Sequence, residues 1–239
     1  MGICTALLSL FYGAKEAYFY IEKRQQQREM FLAHVHAAEK FIELDNLAYA
    51  ERSLKEALTI SPDNHNLRAR AFQLGSISIL READYYGAQL PATYMEPIPA
   101  LITEGFGLLA TDLSNARQAL VLGNLARLLQ FDRSWKQPEA IGDLFEDALS
   151  LQPRNAEIAY WYGEYLINQE SNLERGEQLI RLAVDIAPGN ALYIAGLGRY
   201  YVESTQWREA FSAFQKAIEL RSTQQTLQQI RASNGAGRA

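Results

Sequence analysis

Apolar and small residues recur at helical spacing over most of the chain, and one pattern is written twice between residues 154 and 220. Three kinds of marker residue return there at a nearly constant distance. They are Pro153 and Pro188, 35 residues apart, Gly163 and Gly198, again 35 apart, and Ala183 and Ala217, 34 apart. A fixed period of this length indicates helix pairs stacked one on the next.

The repeated residues fit the packing of two helices that cross closely. Two helices can approach only where a side chain is nearly absent, so we expect Gly163 and Gly198 in the first helices to face the repeated alanines of the second helices. Ile180 and Phe214 are expected to fill the space beside each crossing. The prolines are expected to end the second helices, because proline lacks the N–H donor that a helix needs to continue.

The pattern resembles the tetratricopeptide repeat. The matching residues are Leu197-Gly198-x2-Tyr201 in the first helix and Ala210-x3-Phe214-x2-Ala217 in the second. Related matches occur over residues 30–62 and 115–153. The resemblance implies an all-α fold, an α-solenoid of stacked antiparallel helix pairs with an extra N-terminal helix and a C-terminal capping helix.

The domain prediction follows from where this pattern begins and fails. Residues 1–29 are predicted to form a separate N-terminal helix and residues 30–233 the solenoid, which ends in a polar-faced capping helix over residues 222–232. Residues 84–99 contain three prolines and are predicted to be an irregular insertion. Residues 234–239 are predicted to be a disordered tail.

The N-terminal segment is a candidate membrane anchor or docking helix. Its uncharged apolar run is interrupted by Lys15-Glu16, so its length alone does not decide whether it spans a bilayer. A plain helix that covers the solenoid and lipidation at Gly2-Ile3-Cys4 stay open as alternatives. The residues predicted to contact a membrane or a membrane partner are Leu7, Leu8, Leu10, Phe11 and Phe19.

Basic residues after the apolar run suggest an orientation. Lys23, Arg24 and Arg28 follow two tyrosines, and no basic residue precedes the run. The positive-inside rule therefore predicts a membrane-associated protein with its repeats on the cytoplasmic side. The alternative is a soluble cytoplasmic protein whose first helix only covers the stack.

The sequence contains no motif of catalysis, cofactor binding or metal binding. His34 and His36 lie on different helix faces and His65 lies in a turn, so none has a ligand partner at helical spacing. A net charge of −5 and a pI near 5.4 give no electrostatic argument for binding nucleic acid. We therefore predict a protein that is not an enzyme, has no cofactor and binds no nucleic acid.

The resemblance also implies a binding surface. In tetratricopeptide repeats a concave groove is lined by one face of the first helices, and the mixed apolar, aromatic and charged residues at those positions suit a protein or peptide partner. The positions that map to this groove are Arg117, Leu120, Asn124, Arg127, Glu157, Tyr160, Glu164 and Arg199.

The leading functional hypothesis is a membrane-associated scaffold or adaptor, a subunit of a larger complex that binds another protein in this groove. A soluble adaptor or assembly chaperone without membrane contact is the alternative. An enzyme has only the proline-rich insertion in its favour.

Overall fold

The computed structural model describes residues 2–86, 90–132, 135, 137–169 and 172–236, and these residues are mostly helical. Side chains are described for these residues except 2–15, 17, 84–86, 138 and 224–236. The helices are α1 (Gly2–Glu43), α2 (Leu47–Ile60), α3 (His65–Tyr86), α4 (Ala92–Met95), α5 (Ile98–Leu109), α6 (Asn115–Phe131), α7 (Pro138–Leu151), α8 (Ala156–Asn168), α9 (Leu173–Ile186), α10 (Ala191–Glu203) and α11 (Trp207–Ala236).

The chain forms two compact units, the first from Met1 to Leu113 and the second from Ser114 to Ala239. In unit 1, α1 packs on α2, α2 on α3, and α3 on α5. In unit 2, three helix pairs follow one another as α6–α7, α8–α9 and α10–α11. The all-α architecture of stacked helix pairs predicted from the repeat is therefore confirmed.

The loops between pairs start the next helix with asparagine caps. Asn155 and Asn190 each lie two residues after a proline that follows the preceding helix. The side-chain oxygen of Asn155 accepts hydrogen bonds from the backbone N–H groups of Glu157 and Ile158 at 3.1 Å. Within the pair α8–α9, Asn172 caps α9 in the same way, through the N–H of Arg175 at 3.0 Å. These caps satisfy donors that the first turn of a helix leaves open.

The helix crossings of unit 2 are as close as the repeated glycines predict. A Cβ atom built at Gly163 would lie 2.7 Å from Cγ1 of Ile180 and 2.8 Å from the backbone oxygen of Gly176. At Gly198 it would lie 2.7 Å from the ring of Phe214. The nearest side chains to these glycines are therefore the bulky residues of the second helices, where the sequence led us to expect Ala183 and Ala217.

Unit 1 has a small core at the start of the stack. Ala38, Ala50 and Leu54 are fully buried where α1 and α2 meet, and Leu74 of α3 joins the same cluster. α5 begins directly after Pro97, and Arg68 of α3 holds it through an ion pair with Glu104 at 2.8 Å.

A cleft of about 900 Å³ lies between α2, α3 and α5. Its floor is on α3, where Phe72 and Gly75 lie, and charged residues of α2 and α5 lie at its sides.

The predicted insertion, residues 84–99, is less irregular than expected, because α3 extends to Tyr86, α4 forms a short helix and α5 already starts at Ile98. Residues 87–89 lie outside the described part.

Two predicted boundaries differ from the structure. α1 continues from Gly2 to Glu43 without a break near residue 29, because residues 15–43 contain neither glycine nor proline. α11 likewise continues through residues 222–232 to Ala236, so the predicted capping helix is an extension of α11, and residues 234–236 of the predicted tail are helical. Residues 237–239 lie outside the described part.

Candidate functional site

Unit 2 presents a face on which the first helices α6, α8 and α10 lie side by side; we call it the first-helix face. Side chains link each helix to the next. The guanidinium carbon of Arg127 in α6 lies 3.2 Å from the ring centroid of Trp161 in α8. From α10, Nη2 of Arg199 donates a hydrogen bond to the hydroxyl of Tyr160 in α8 at 2.6 Å. The three helices therefore form one continuous surface.

Arg199 is the centre of a charged cluster on this face. The same nitrogen also forms an ion pair with Oε2 of Glu164, whose side chain is largely buried. Burial lowers the pKa of Arg199, but its interactions with Tyr160 and Glu164 outweigh that effect, so the net shift of the pKa is upward. The guanidinium thus stays charged and is held in one place.

Gly196 makes room for this cluster. A Cβ atom at Gly196 would lie 2.6 Å from Cε2 of Tyr160 and 3.1 Å from Oε1 of Glu164. In the structure it is the contact between two successive first helices, α8 and α10, that requires this glycine.

A second cluster joins α6 to α8. Arg127 and Asn124 are buried, and Nδ2 of Asn124 donates to the backbone oxygen of Leu120 at 2.9 Å. The indole Nε1 of Trp161 is buried and has no hydrogen-bond partner among the described residues. Stacking of a guanidinium on an indole orients both groups while the charge stays close to the ring face.

The residues predicted for the groove divide into two sets. Arg199 is exposed, and Arg117, Leu120, Glu157 and Glu164 are half-buried. Asn124, Arg127 and Tyr160 are buried, with Tyr160 fully enclosed and its ring 4.9 Å from that of Tyr193. A partner bound on this face could contact the exposed and half-buried residues. The buried residues pack beneath them.

Trp161 and Gly196 belong to the site but were absent from the predicted set. The aromatic run Tyr160-Trp161-Tyr162 was the available signal, since three neighbouring aromatic residues on a helix must point in three directions. Leu192 is also exposed on α10 near this face.

At the N-terminal end, α1 carries an exposed apolar segment. Tyr18, Phe19, Tyr20 and Ile21 are all exposed, Phe19 by 60%, and the guanidinium of Arg24 lies 5.7 Å from the ring centroid of Tyr20. The side chains of Leu7, Leu8, Leu10 and Phe11 lie outside the described part. Among the described residues, none of the helices combines the length and the apolar character needed to cross a bilayer.

Among the described residues, no group of three His, Cys, Asp or Glu side chains lies close enough together to bind a metal ion. His34 instead lies 3.2 Å from the carboxylate of Glu56 on α2.

The paired helices, the glycine crossings and the side-by-side first helices together define a helical-repeat fold, and it is the fold of tetratricopeptide-repeat proteins. A tetratricopeptide-repeat protein of Thermus thermophilus, TTC0263, superposes with a TM-score of 0.60 at 15% sequence identity, with 85% of this chain and 97% of that chain covered.

Two structures of MamA are also similar. Residues 41 to the end of MamA from Desulfovibrio magneticus RS-1 superpose with a TM-score of 0.50 at 18% identity, over 82% of this chain and 97% of that chain. A double mutant of MamA RS-1 gives a TM-score of 0.51 at 19% identity, over 82% and 96%. No protein-family model matches the sequence, and no curated protein does.

Proposed function

We propose that this protein is a scaffold without catalytic activity that binds a protein or peptide partner on the first-helix face of unit 2. The proposal rests on one observation, a positively charged side chain that is held in a fixed position on this face. Arg199 is exposed, yet Glu164 and Tyr160 hold its guanidinium from below. An oriented cation loses little side-chain freedom when it binds, so it can favour one partner over another.

The exposed and half-buried residues of the first-helix face indicate which kind of partner would fit it. Arg117 and Arg199 supply positive charge, Glu157 supplies negative charge, and Leu120 and Leu192 supply apolar surface. A peptide or helix with apolar residues beside charged ones of both signs would complement this face. The buried residues beneath this face, among them Tyr160 and Arg127, would hold the helices and their surface side chains in the same positions when no partner is bound.

Peptide selection on the purified protein tests this proposal. Peptides selected from a random phage library against the full chain should bind at least about tenfold more weakly to Arg199→Ala and to Glu157→Ala. Leu44→Ala is the control, because Leu44 is exposed in unit 1 and lies outside this face. Equal binding of the selected peptides to all four proteins would contradict the proposal.

We further propose that α1 attaches the scaffold to a membrane surface, with the repeats on the cytoplasmic side. Tyr18, Phe19, Tyr20 and Ile21 are consecutive, so at 100° per residue their side chains point around most of the helix circumference. One neighbouring helix cannot cover such a ring of apolar side chains, whereas lipid can surround a helix that enters the bilayer at this segment. The basic residues that follow, Lys23 and Arg24 among them, would lie among anionic headgroups.

Sedimentation with lipid vesicles separates this proposal from a soluble adaptor. The full chain should sediment with vesicles that contain phosphatidylserine, and Phe19→Ser with Ile21→Ser should reduce the bound fraction several-fold. Deletion of residues 1–28 should abolish binding while the repeats stay folded, because the core of unit 1 begins at Ala38. A full chain that does not sediment with any vesicle would leave the soluble adaptor as the better description.

A further inference from the structure

The second helices α7 and α9 share an outward face that the next first helix contacts. On α7 this face consists of Gly142, Glu146 and Leu149, and on α9 of Glu177, Arg181 and Val184. The two sets occupy equivalent positions, 35 residues apart, as Ala148 and Ala183 do.

Contacts with the following helix confirm the equivalence. Oε1 of Glu146 accepts a hydrogen bond from the hydroxyl of Tyr162 in α8 at 2.9 Å. At the equivalent position of the next pair, Nη2 of Arg181 donates to the hydroxyl of Tyr201 in α10 at 2.8 Å. Leu149 is 8% exposed under α8. In both places the following first helix contacts the outward face, although Glu146 and Arg181 stay exposed.

α11 has the same face, but no described helix follows to cover it. The equivalent residues, 34 positions after those of α9, are Phe211, Gln215 and Ile218. Phe211 is 71% and Ile218 69% exposed, and Trp207, one turn earlier on the same side, is 63% exposed. We call Trp207, Phe211 and Ile218 the end stripe. Where α9 carries the charged Glu177 and Arg181, α11 carries phenylalanine and a neutral glutamine.

Exposed apolar surface is unusual on a repeat helix that no neighbouring helix covers, because repeat arrays keep their uncovered faces polar and so stay soluble. Residues 222–232, the predicted capping segment, continue α11 as one helix, so they do not fold back over the end stripe. The three side chains together expose roughly 400 Å², which is in the range of functional patches on monomers.

We propose that a second copy of this chain covers the end stripe, with the two α11 helices packed antiparallel. In this arrangement Phe211 lies opposite Ile218 of the second copy, and the reverse contact forms at the same time. Gln215 lies near the two-fold axis, where a charged residue would meet its own copy. The stripe is therefore complementary to itself.

Charges beside the stripe fit the same arrangement. Arg208 and Glu219 lie on one flank of the stripe, at opposite ends of it and both exposed. In an antiparallel pair the same flank of the two helices comes together. Arg208 of each copy then lies close to Glu219 of the other copy, so the ion pair forms twice. The apolar area is about half of the 800 Å² that each partner of a standard interface buries, so we expect a reversible dimer that depends on concentration.

Sedimentation equilibrium of the full chain tests the proposal. The wild-type chain should change from monomer to dimer as its concentration rises through the micromolar range. Phe211→Glu should weaken dimerisation by at least about tenfold, because it buries a charge in the interface. This substitution suits the helix, since α9 carries glutamate at the equivalent position 177. Leu44→Glu is the control, an equally exposed leucine of unit 1 that should leave dimerisation unchanged.

A charge exchange tests the antiparallel geometry. Arg208→Glu and Glu219→Arg should each weaken the dimer a few-fold, and the double variant should regain most of the loss. A wild-type chain that stays monomeric at all concentrations would overturn the proposal and leave a helix from another protein as the occupant of the end stripe. A Phe211→Glu variant that dimerises like the wild type, or a double variant no better than the single ones, would overturn it as well.

Discussion

The same sequence signal, a glycine within a first helix, has different surroundings in the two units. In unit 2, Gly163 and Gly198 are closed in by Ile180 and Phe214 of their own second helices. In unit 1, the atoms nearest to a Cβ at Gly75 all belong to Glu51 of the preceding helix α2, the closest at 2.8 Å. The glycine in α3 therefore marks a crossing that α5 does not close.

The insertion before α5 explains the difference. In the pairs α8–α9 and α10–α11 a short turn brings the second helix directly back onto the first. Between α3 and α5 the chain passes through α4 and two prolines before α5 begins. The cleft between α2, α3 and α5 lies over Gly75, and the carboxylate of Glu51, paired with Lys55 at 2.6 Å, reaches into it. A small residue thus permits a close crossing, but the length of the connection decides whether the crossing forms.

The largest effect should come from filling the crossing of α8 and α9. Gly163→Leu puts a side chain against Ile180 and against the backbone oxygen of Gly176, which cannot move without shifting α9. We expect a loss of about 3 kcal/mol or more in the free energy of unfolding, measured by urea denaturation. A variant as stable as the wild type would show that the crossing is not closed.

A smaller loss should follow at the crossing of α10 and α11. At Gly198 the three atoms nearest to a built Cβ all belong to the ring of Phe214, which is half-buried and can turn toward solvent. We expect Gly198→Leu to cost about 1 to 3 kcal/mol in the same measurement. If Gly198→Leu proved more damaging than Gly163→Leu, the ranking of the two crossings would be wrong.

Buried tyrosines of the first helices should make unit 2 sensitive to alkaline pH. Burial and the hydrogen bond to Glu146 raise the pKa of Tyr162 above its ordinary value of 10.0, and burial raises the pKa values of Tyr165 and Tyr193. The unfolded chain therefore releases these protons at a lower pH than the folded chain. Their contribution to stability is complete below about pH 10 and is lost as the pH rises above it.

Tyr162→Phe isolates one of these groups. At neutral pH it should cost about 1 kcal/mol, because the carboxylate of Glu146 loses its donor. Between about pH 9 and about pH 11 its urea midpoint should fall less steeply than that of the wild type. Parallel declines of the two proteins would assign the alkaline loss to other groups.

Much of unit 2 could be predicted from the sequence, because close crossings and helix ends impose local demands on residue type. Glycine at 163 and 198, proline at 153 and 188 and the asparagine caps satisfy those demands where they stand. The continuity of α1 and α11 could not be predicted from the repeat, since its boundaries are inferred from a pattern that these segments lack.

The burial of the residues predicted for the groove could not be read from the sequence for a related reason. Helical spacing identifies residues on one side of a helix, but the buried part of that side depends on how closely its neighbours approach. Tyr160 became core because Gly196 lets α10 come near, whereas Glu164 and Arg199 on the same side kept some access to solvent. That distance between helices is a tertiary property that no single repeat encodes.

One substitution made at three glycines tests the contrast between the units most directly. Gly107 of α5 has no atom within 4 Å of a built Cβ, so Gly107→Ala should stabilise the chain by up to about 1 kcal/mol through helix propensity alone. Gly75→Ala should be close to neutral, because the end of the flexible Glu51 side chain can move aside.

Gly163→Ala, measured beside them by urea denaturation, should lose about 1 to 3 kcal/mol in spite of the same gain in propensity, because the backbone of α9 blocks the new methyl group. We predict this order for the free energies of unfolding: Gly107→Ala highest, Gly75→Ala near the wild type, and Gly163→Ala lowest. Equal losses at Gly75 and Gly163 would contradict the claim that one crossing is open and the other closed.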